Sequence, residues 1–226
     1  MSVFYESYGK SKGYETPDLS PKHIAKFDQE IWHPSNVQPT MACLEIGCGT
    51  GHFLSYLHHK GVQNLKAIDL DPTLADIIPA QVQQYFEAAD VFEFLTTTSA
   101  DKNYDRIFMF DVFEHFSALD GRELLVKLKS ILADDGEIVL KMPNASSPWG
   151  LQFQYGDVTH LTGYTPDSIR QMADSVDMVC SQCHPHTLGN RQLQFRDRLV
   201  QKFLNKMIAT PPDIWEGNFY AILRNQ

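Results

Sequence analysis

Short apolar runs alternate along this chain with segments whose apolar residues recur at helical spacing. The run at residues 107–110 is almost continuously apolar, which is typical of a central parallel strand covered on both faces. The segment at 120–133 instead places its leucines on one face, as an amphipathic helix does. The pattern predicts an α/β fold with strands at residues 44–46, 65–69, 107–110, 136–144, 176–184 and 217–224, and with helices at 21–31, 53–57, 91–94, 120–133, 166–176 and 191–207.

Three glycines follow the first predicted strand directly, at residues 47, 49 and 51. Glycine lets the backbone approach a ligand where a side chain would block it, so this turn predicts a binding site at the start of a helix. Dinucleotide-binding proteins use the different spacing Gly-x-Gly-x-x-Gly and bind a pyrophosphate there. Here Glu45 precedes the turn, and its charge would repel an anion but attract an ammonium group. The residues favour a ligand that combines a cationic amino-acid portion with a nucleoside.

Acidic residues also follow the second predicted strand. Asp69 ends that strand, where a carboxylate can accept hydrogen bonds from both hydroxyls of a ribose. Asp71 lies just before Pro72, an arrangement typical of a helix cap followed by the first helical residue. We therefore expect Asp69 to bind a ligand and Asp71 to cap a helix.

With these motifs the chain resembles the class I S-adenosylmethionine-dependent methyltransferases, and residues 86–91 (Phe-Glu-Ala-Ala-Asp-Val) are similar to the third strand of that family. The resemblance implies a Rossmann-like α/β fold, in which helices flank a mixed seven-stranded sheet whose last strand is antiparallel. It also implies S-adenosylmethionine as the cofactor, with Asp69 at the ribose, Leu70 on the adenine, and Asp90 and Val91 at the adenine edge. Asp90 can cap a helix at the same time.

The residues Asp-Val-Phe-Glu-His at 111–115 resemble the fourth-strand signature of one branch of the family. That branch contains the ubiquinone-pathway O-methyltransferases and many small-molecule and sugar methyltransferases. Because the end of this strand faces the cofactor in the family, the resemblance implies that Phe110 and Asp111 line the site. The cofactor-binding residues predicted in this way are Glu45, Gly47, Cys48, Gly49, Gly51, Asp69, Leu70, Asp90, Val91, Phe110 and Asp111.

The 226 residues are enough to bury one sizeable core, and no repeat or clear linker interrupts the pattern. We therefore predict a single domain. Residues 1–40 are expected to form a helical lid, residues 41–144 the cofactor-binding core, and residues 145–226 a substrate loop and the last strands.

The formal net charge of −9 argues against a nucleic-acid-binding protein, because phosphate contacts need clustered Lys and Arg. No apolar run is long enough to span a membrane, and the first 20 residues lack the apolar core of a secretory signal. Four cysteines without such a signal predict reduced thiols in a cytoplasmic protein.

The irregular stretch between Pro143 and Pro166 has the length of a functional loop and follows a strand end, where open α/β sheets bind ligands. Its residues 157–168 resemble a segment of methyltransferases associated with polysaccharide biosynthesis. A hydroxyl group is a poor nucleophile and benefits from a general base, so we predict His160 as that base and Asp157 as the residue that orients it. Alternatively, His160 only holds the loop in place by a hydrogen bond to the backbone.

Two further segments have alternative interpretations. Residues 180–186 contain two cysteines and two histidines, but compact zinc sites usually bring their second pair of ligands from a distant segment, so we predict no metal. Residues 191–207 form a basic amphipathic helix. Its charges form a solvated face, or they receive a phosphorylated or lipid-linked substrate.

The function predicted from these residues is transfer of a methyl group from S-adenosylmethionine to a hydroxyl of a sugar, a glycan precursor or another small metabolite. The first alternative is transfer to nitrogen or carbon of a small molecule, which needs no strong base. A cofactor-binding protein without transferase activity and, more distantly, a hydride-transfer enzyme are further alternatives.

Overall fold

A seven-stranded sheet organises the protein. The computed structural model describes residues 15–16, 18–98 and 104–226. The strands in chain order are β1 (Ala42–Ile46), β2 (Asn64–Asp69), β3 (Phe86–Ala88), β4 (Tyr104–Phe110), β5 (Leu132–Pro143), β6 (Met178–Pro185) and β7 (Asn218–Asn225). Their order in the sheet is β3-β2-β1-β4-β5-β7-β6.

The direction of the strands confirms the predicted fold class. β1 pairs in parallel with β2 and β4, and β4 pairs in parallel with β5. β7 is antiparallel to both of its neighbours, β5 and β6. From β1 the chain runs outward to β2 and β3 and then returns to place β4 on the other side of β1. Open α/β sheets bind ligands at such a switch point, outside the carboxyl ends of the strands.

Helices cover both faces of the sheet, and the buried apolar residues form two large clusters. The helices are α1 (Pro21–Phe27), α2 (His52–His59), α3 (Val91–Thr97), α4 (Ala118–Ser130), α5 (Leu151–Gln154), α6 (Pro166–Asp174) and α7 (Arg191–Met207). Short 3-10 turns occupy Pro72–Asp76, Gln83–Tyr85 and Phe113–His115. In the described part of the chain, no helix has the length and apolar character that crossing a membrane requires.

Two helix starts that the sequence predicts are confirmed by their caps. The hydroxyl of Ser20 accepts a hydrogen bond from the N–H of His23 at the start of α1. The hydroxyl of Thr165 accepts one from the N–H of Ser168 at the start of α6, and the Ser168 hydroxyl accepts from the N–H of Thr165 in return. A proline is the first residue of both helices, where its missing N–H costs no hydrogen bond.

The leading helix α1 continues into one π-helical turn, Asp28–Trp32, which directs Glu30 into the protein. Glu30 is only 4% exposed. Its carboxylate accepts hydrogen bonds from Nδ1 of His186 (2.9 Å) and from the N–H (2.9 Å) and hydroxyl (2.6 Å) of Thr187. Burial opposes the charge of Glu30, but these hydrogen bonds outweigh it and lower the pKa of the carboxyl. One buried side chain therefore joins α1 to the segment that follows β6.

Of the predicted lid at residues 1–40, residues 1–14 and 17 lie outside the described residues. The described part packs beside the glycine turn. The ring of Phe27 in α1 contacts the ring of Phe53 in α2 at 5.2 Å between centroids. The hydroxyl of Thr16 donates to the carbonyl of Thr50, in the glycine turn, or to that of Ile77, at 3.1 and 3.3 Å.

The predicted boundary between the fourth helix and the fifth strand is wrong. The helix predicted at 120–133 ends at Ser130, and Leu132 already begins β5, where it pairs with Tyr104 of β4. Ile131 and Leu132 are both buried, so their side chains continue the apolar pattern of α4 although the backbone has left the helix. Similarly, Val176 lies in the turn after α6, which ends at Asp174.

Candidate functional site

The glycine turn after β1 is held at the carboxyl edge of the sheet by the end of β2. The N–H groups of Gly47 and Cys48 donate to the carbonyl of Ile68 over 2.8 and 3.2 Å. The N–H of Gly49 donates to Oδ2 of Asp69 over 2.9 Å. A hydrogen bond thus joins the turn directly to the carboxylate that was predicted for a ribose, and we call the open space beside Gly49 and Asp69 the cleft.

Gly47 and Gly49 both have positive φ angles, 74° and 52°, which favour glycine. A Cβ atom on Gly47 would lie 2.2 Å from Cγ2 of Val112, so the turn packs against Val112 only without a side chain. Nothing lies within 4 Å of the corresponding position at Gly49. A ligand can therefore approach the backbone closely at Gly49.

Two carboxylates lie beside this turn in a buried environment. Glu45 is 4% exposed, and among the described residues its Oε2 has no hydrogen-bond partner. Burial, and then the charge of Asp69, raises the pKa of Glu45 well above its ordinary value. Burial also raises the pKa of Asp69. A cationic group in the cleft would give the unpaired oxygen a partner and stabilise both charges.

The side of the cleft predicted for adenine is formed where β2 and β3 end. Leu70 follows β2 and is 39% exposed. The N–H of Ala89 donates to the carbonyl of Asp69 over 2.9 Å, which aligns the segment before Asp90 with the end of β2. Asp90 caps α3, as the capping interpretation predicted, and Val91 is the first residue of that helix. Similarly, Asp71 caps the 3-10 turn that begins at Pro72.

The end of β4 separates this cleft from a second cavity. The ring of Phe110, the last residue of β4, packs against the rings of Phe53 and Tyr220. Asp111 follows with a φ of 57°, an uncommon value for a residue with a side chain. Its carboxylate pairs with Nζ of Lys141 at 2.5 Å, and its N–H donates to the Lys141 carbonyl over 2.9 Å. Lys141 thus fixes the turn after β4, which lies between the cleft and the second cavity.

The second cavity, of about 300 Å³, lies beyond Asp111 and beneath the predicted functional loop. The N–H groups of Leu161 and Thr162 donate to the carbonyl of Glu114 over 2.8 and 3.1 Å, which ties the loop to the turn after β4. The two predicted catalytic residues are among those that line the cavity, which are Asp111, Glu114, Pro143, Gln152, Phe153, Gly156, Asp157, His160 and Asn218.

His160 has one ring nitrogen fixed by the backbone and the other directed to a buried carboxyl. Nδ1 lies 3.0 Å from the carbonyl oxygen of Gln154. A carbonyl only accepts, so Nδ1 carries the proton and Nε2 of the neutral ring carries the lone pair. Nε2 lies 3.8 Å from Oε1 of Glu114. Oδ1 of Asp157 accepts from the N–H and hydroxyl of Thr159, so Asp157 orders the residue before His160.

Glu114 was not predicted as a site residue. It is fully buried, and neither of its carboxyl oxygens has a hydrogen-bond partner among the described residues. Burial, and then the charge of Asp111, raises the pKa of Glu114 to about 8. The signal that could have identified it is its position in the 111–115 motif, where a 3-10 turn brings it to the same cavity as Asp111.

Comparison with known sequences identifies the family. Residues 22–180 match the family described as "Methyltransferase domain", which is more than half of the chain. The chain belongs to this methyltransferase family. A search of curated proteins gave no match.

Solved structures share the fold of this methyltransferase along almost the whole chain. A SAM-dependent methyltransferase from Archaeoglobus fulgidus has a TM-score of 0.72 at 18% identity, covering 99% of this chain and 100% of that one. The N-methyltransferase NodS from Bradyrhizobium japonicum, crystallised with S-adenosyl-L-homocysteine, has a TM-score of 0.66 at 16% identity, with 99% of each chain covered. Magnesium protoporphyrin IX methyltransferase from Synechocystis, with bound SAM, has a TM-score of 0.60 at 12% identity, covering 100% and 92%.

The cleft of this methyltransferase fits S-adenosylmethionine. The unpaired Oε2 of Glu45 can accept a hydrogen bond from the ammonium group of the cofactor. The open space at Gly49 lets the cofactor approach the backbone closely, and Asp69 lies beside that space. A ligand cation at this place would favour the charged form of Glu45, which burial alone disfavours.

The two histidines of the segment at 180–186 contact Glu30. Nε2 of His184 lies 2.8 Å from the carbonyl of Glu30, and Nδ1 of His186 donates to the Glu30 carboxylate. The sulfur atoms of Cys180 and Cys183 lie 3.5 Å apart, and both cysteines are free. The imidazoles thus contact Glu30 rather than the two thiols.

The described residues that could hold a metal ion are instead Glu114, His115 and His160, whose possible ligand atoms all lie within 4.8 Å of one another. Nδ1 of His115 already contacts the hydroxyl of Thr159 at 3.0 Å, and Nδ1 of His160 is used by Gln154. His160, the predicted base, is therefore also a possible metal ligand, and removing metal ions from the protein distinguishes the two roles.

The buried carboxyl of Glu114 predicts a pH-dependent stability. Its folded-state pKa of about 8 exceeds the ordinary value of 4.5, so the folded protein binds the proton more tightly than the unfolded chain between these values. Wild type should lose stability relative to Glu114→Gln as the pH rises from 5 to 8, by up to about 3 kcal/mol. Urea unfolding across this range measures the difference.

The matched control is Glu123→Gln, whose carboxyl lies on the exposed side of α4. Its unfolding free energy should follow that of wild type at every pH. Parallel curves for wild type and Glu114→Gln would contradict the account of Glu114 as a buried, protonated carboxyl.

Proposed function

We propose that the protein transfers a methyl group from S-adenosylmethionine to a hydroxyl of a sugar, a glycan precursor or another small metabolite. When bound, S-adenosylmethionine would supply an electrophilic methyl group: an O–C bond to the acceptor oxygen forms in line as the C–S bond breaks, and S-adenosylhomocysteine leaves as a neutral thioether. The observation that carries the hydroxyl assignment is the lone pair on Nε2 of His160, which lies at the acceptor cavity beside the cofactor cleft.

The residues of the cleft hold and orient the cofactor. Glu45 accepts from the amine, and Asp69 accepts from the ribose hydroxyls while its own position is fixed by N–H groups of Gly49 and Asp71. The open space at Gly49 would let the amino-acid portion of the cofactor lie against the backbone of the turn. Leu70, Asp90 and Val91 receive the adenine, and Phe110 and Asp111 close the cleft toward the acceptor.

The residues of the second cavity act on the acceptor. Nε2 of His160 takes the proton from the acceptor hydroxyl, and the Gln154 carbonyl holds the ring in the tautomer that this step requires. Asp157 keeps the loop in place through Thr159. Glu114 has a pKa of about 8 and is therefore protonated at neutral pH. Its carboxyl carries no negative charge beside the imidazolium of His160 until it loses that proton.

Other features support the family branch, the lid and the location of the protein. The Asp-Val-Phe-Glu-His run at 111–115 supports a place in the branch with the ubiquinone-pathway O-methyltransferases. The contacts of Phe27 and Thr16 with α2 and the glycine turn support a lid role for the N-terminal segment, within a single domain. The four free thiols support a cytoplasmic location.

Transfer to nitrogen is the second candidate, since the structurally similar NodS is an N-methyltransferase. A neutral amine attacks without a base, so the two candidates differ in their need for His160. A cofactor-binding protein without activity is disfavoured by the formed acceptor cavity directly beside the cofactor cleft.

Labelled S-adenosylmethionine and a panel of small hydroxyl, amine and carboxylate acceptors test the proposal. We expect label in hydroxyl compounds and the same rate after treatment with EDTA, because His160 needs no metal to take a proton. Loss of activity with EDTA and recovery with Mg²⁺ or Mn²⁺ would make His160, Glu114 and His115 metal ligands instead. Label confined to amines would overturn the hydroxyl assignment.

A further inference from the structure

One row of apolar residues on helix α7 faces away from the protein. Phe195, Leu199, Phe203 and Met207 follow one another at intervals of four and therefore lie in one row. They are 61, 53, 62 and 69% exposed, and no residue of α7 is buried. Apolar residues of a helix ordinarily face the core, but among the described residues nothing covers this row.

The opposite side of α7 makes the contacts with the rest of the protein. Nε1 of Trp215 donates to Oδ1 of Asn205 over 2.8 Å, and Nε2 of Gln201 donates to Oε1 of Glu216 over 3.2 Å. These polar contacts fix the rotation of the helix about its axis. The outward direction of the apolar row is therefore set by hydrogen bonds on the other face.

Basic residues flank the apolar row. Helix α7 carries Arg191, Arg196, Arg198, Lys202 and Lys206 against the single acidic residue Asp197, in a chain with a net charge of −9. Three of them, Arg196, Lys202 and Lys206, lie three residues from a member of the row and so border it. Long basic side chains beside exposed aromatic groups are typical of helices that lie in the interface of an anionic membrane.

The protein-facing side of α7 leads to the acceptor cavity. A groove of about 330 Å³ lies between α7 and the loop that contains Trp149, Gln152 and Phe153. Gln152 and Phe153 also line the cavity with His160. Trp149 and Tyr155 on this loop are 54 and 80% exposed. The groove thus joins the protein-facing side of α7, which carries Leu193 and Leu204, to the residues around the acceptor site, and the outward apolar row lies on the other side of the helix.

We propose that α7 docks on an anionic membrane surface, with its apolar row in the interface and its basic residues among the lipid headgroups. Charge favours this occupant over a second copy of the chain, because a symmetric dimer through α7 would bring the two sets of basic residues together. Docking is independent of whether the acceptor atom is oxygen or nitrogen.

Vesicle sedimentation of the full chain tests this proposal. We expect binding to vesicles of phosphatidylcholine that contain roughly one third phosphatidylserine, at least tenfold weaker binding to phosphatidylcholine alone, and weakening by salt. Phe195→Ser combined with Phe203→Ser should reduce binding at least tenfold, because the phenyl groups no longer enter the interface. Lys202→Glu combined with Lys206→Glu should reduce it by about tenfold or more.

The matched control is Leu119→Ser, which removes an apolar side chain that is 81% exposed on α4 and should leave vesicle binding unchanged. Cofactor affinity and melting temperature should be those of wild type in every variant, because the changed side chains are exposed. Absence of binding to anionic vesicles would overturn the proposal and leave the proposed activity intact. A dimer that Phe195→Ser and Phe203→Ser dissociate would assign the row to a second copy.

Discussion

Glu45→Gln should weaken S-adenosylmethionine binding by about 10- to 100-fold while the chain still folds. The change keeps the size of the side chain but removes the charge that pairs with the cofactor amine, and a hydrogen bond between charged groups contributes about 1.5–3 kcal/mol. Without cofactor the buried carboxylate has no partner for Oε2, so its loss should not destabilise the apoprotein. Calorimetric titration gives the affinity, and thermal unfolding gives the stability.

A truncated ligand makes this prediction specific to one end of the cleft. 5′-Methylthioadenosine has the nucleoside of the cofactor but no amine, so Glu45→Gln should leave its affinity unchanged. Asp69→Asn should weaken both ligands by about tenfold, because both present ribose hydroxyls. Equal weakening of both ligands by Glu45→Gln would show that Glu45 does not bind the amine.

His160→Asn should lower kcat by about 10²- to 10⁴-fold, with the affinity for S-adenosylmethionine unchanged. The asparagine amide can still donate to the Gln154 carbonyl, so the loop keeps its hydrogen bond. It has no nitrogen lone pair at the position of Nε2, so the acceptor proton has no base to receive it. Single-turnover rates with a hydroxyl acceptor separate this step from binding and product release.

His160→Ala and His59→Asn complete the experiment. The alanine variant loses the base and the loop contact together, and His59, at the end of α2, lies far along the chain from the loop and should tolerate the change. An active asparagine variant beside an inactive alanine variant would mean that His160 only holds the loop. Wild-type rates in both would remove His160 from the reaction.

The fold could be predicted because its signals are local. The continuous apolar run of β4 and the capping residues Ser20 and Thr165 determine elements within a few residues, and α7 has the predicted bounds, Arg191–Met207. The boundary at Leu132 could not be predicted, because an apolar side chain is buried at that point in a helix or a strand alike. Pairing with Tyr104 decides between them, and pairing is not local.

The functional site likewise has features that local sequence predicts and features that depend on distant segments. Glycines with positive φ and carboxylates at strand ends mark the cofactor cleft in the sequence, because each acts through its own backbone position. Glu114 was missed because its role depends on a loop more than 40 residues away, which closes over it through Leu161 and Thr162. The outward direction of the apolar row on α7 could not be predicted either, because periodicity defines a helical face but not whether that face packs against the protein.

The hydrogen bonds of Glu30 affect how the protein unfolds locally. Its carboxylate joins the first described helix to Thr187 and His186, more than 150 residues later in the chain. A short helix would ordinarily fray in isolation, but separating this one means exposing a charged group and breaking its hydrogen bonds to His186 and Thr187. The helix beside the cofactor cleft and the segment leading into α7 therefore form one cooperative unit, so that strain applied at either end is felt at the other.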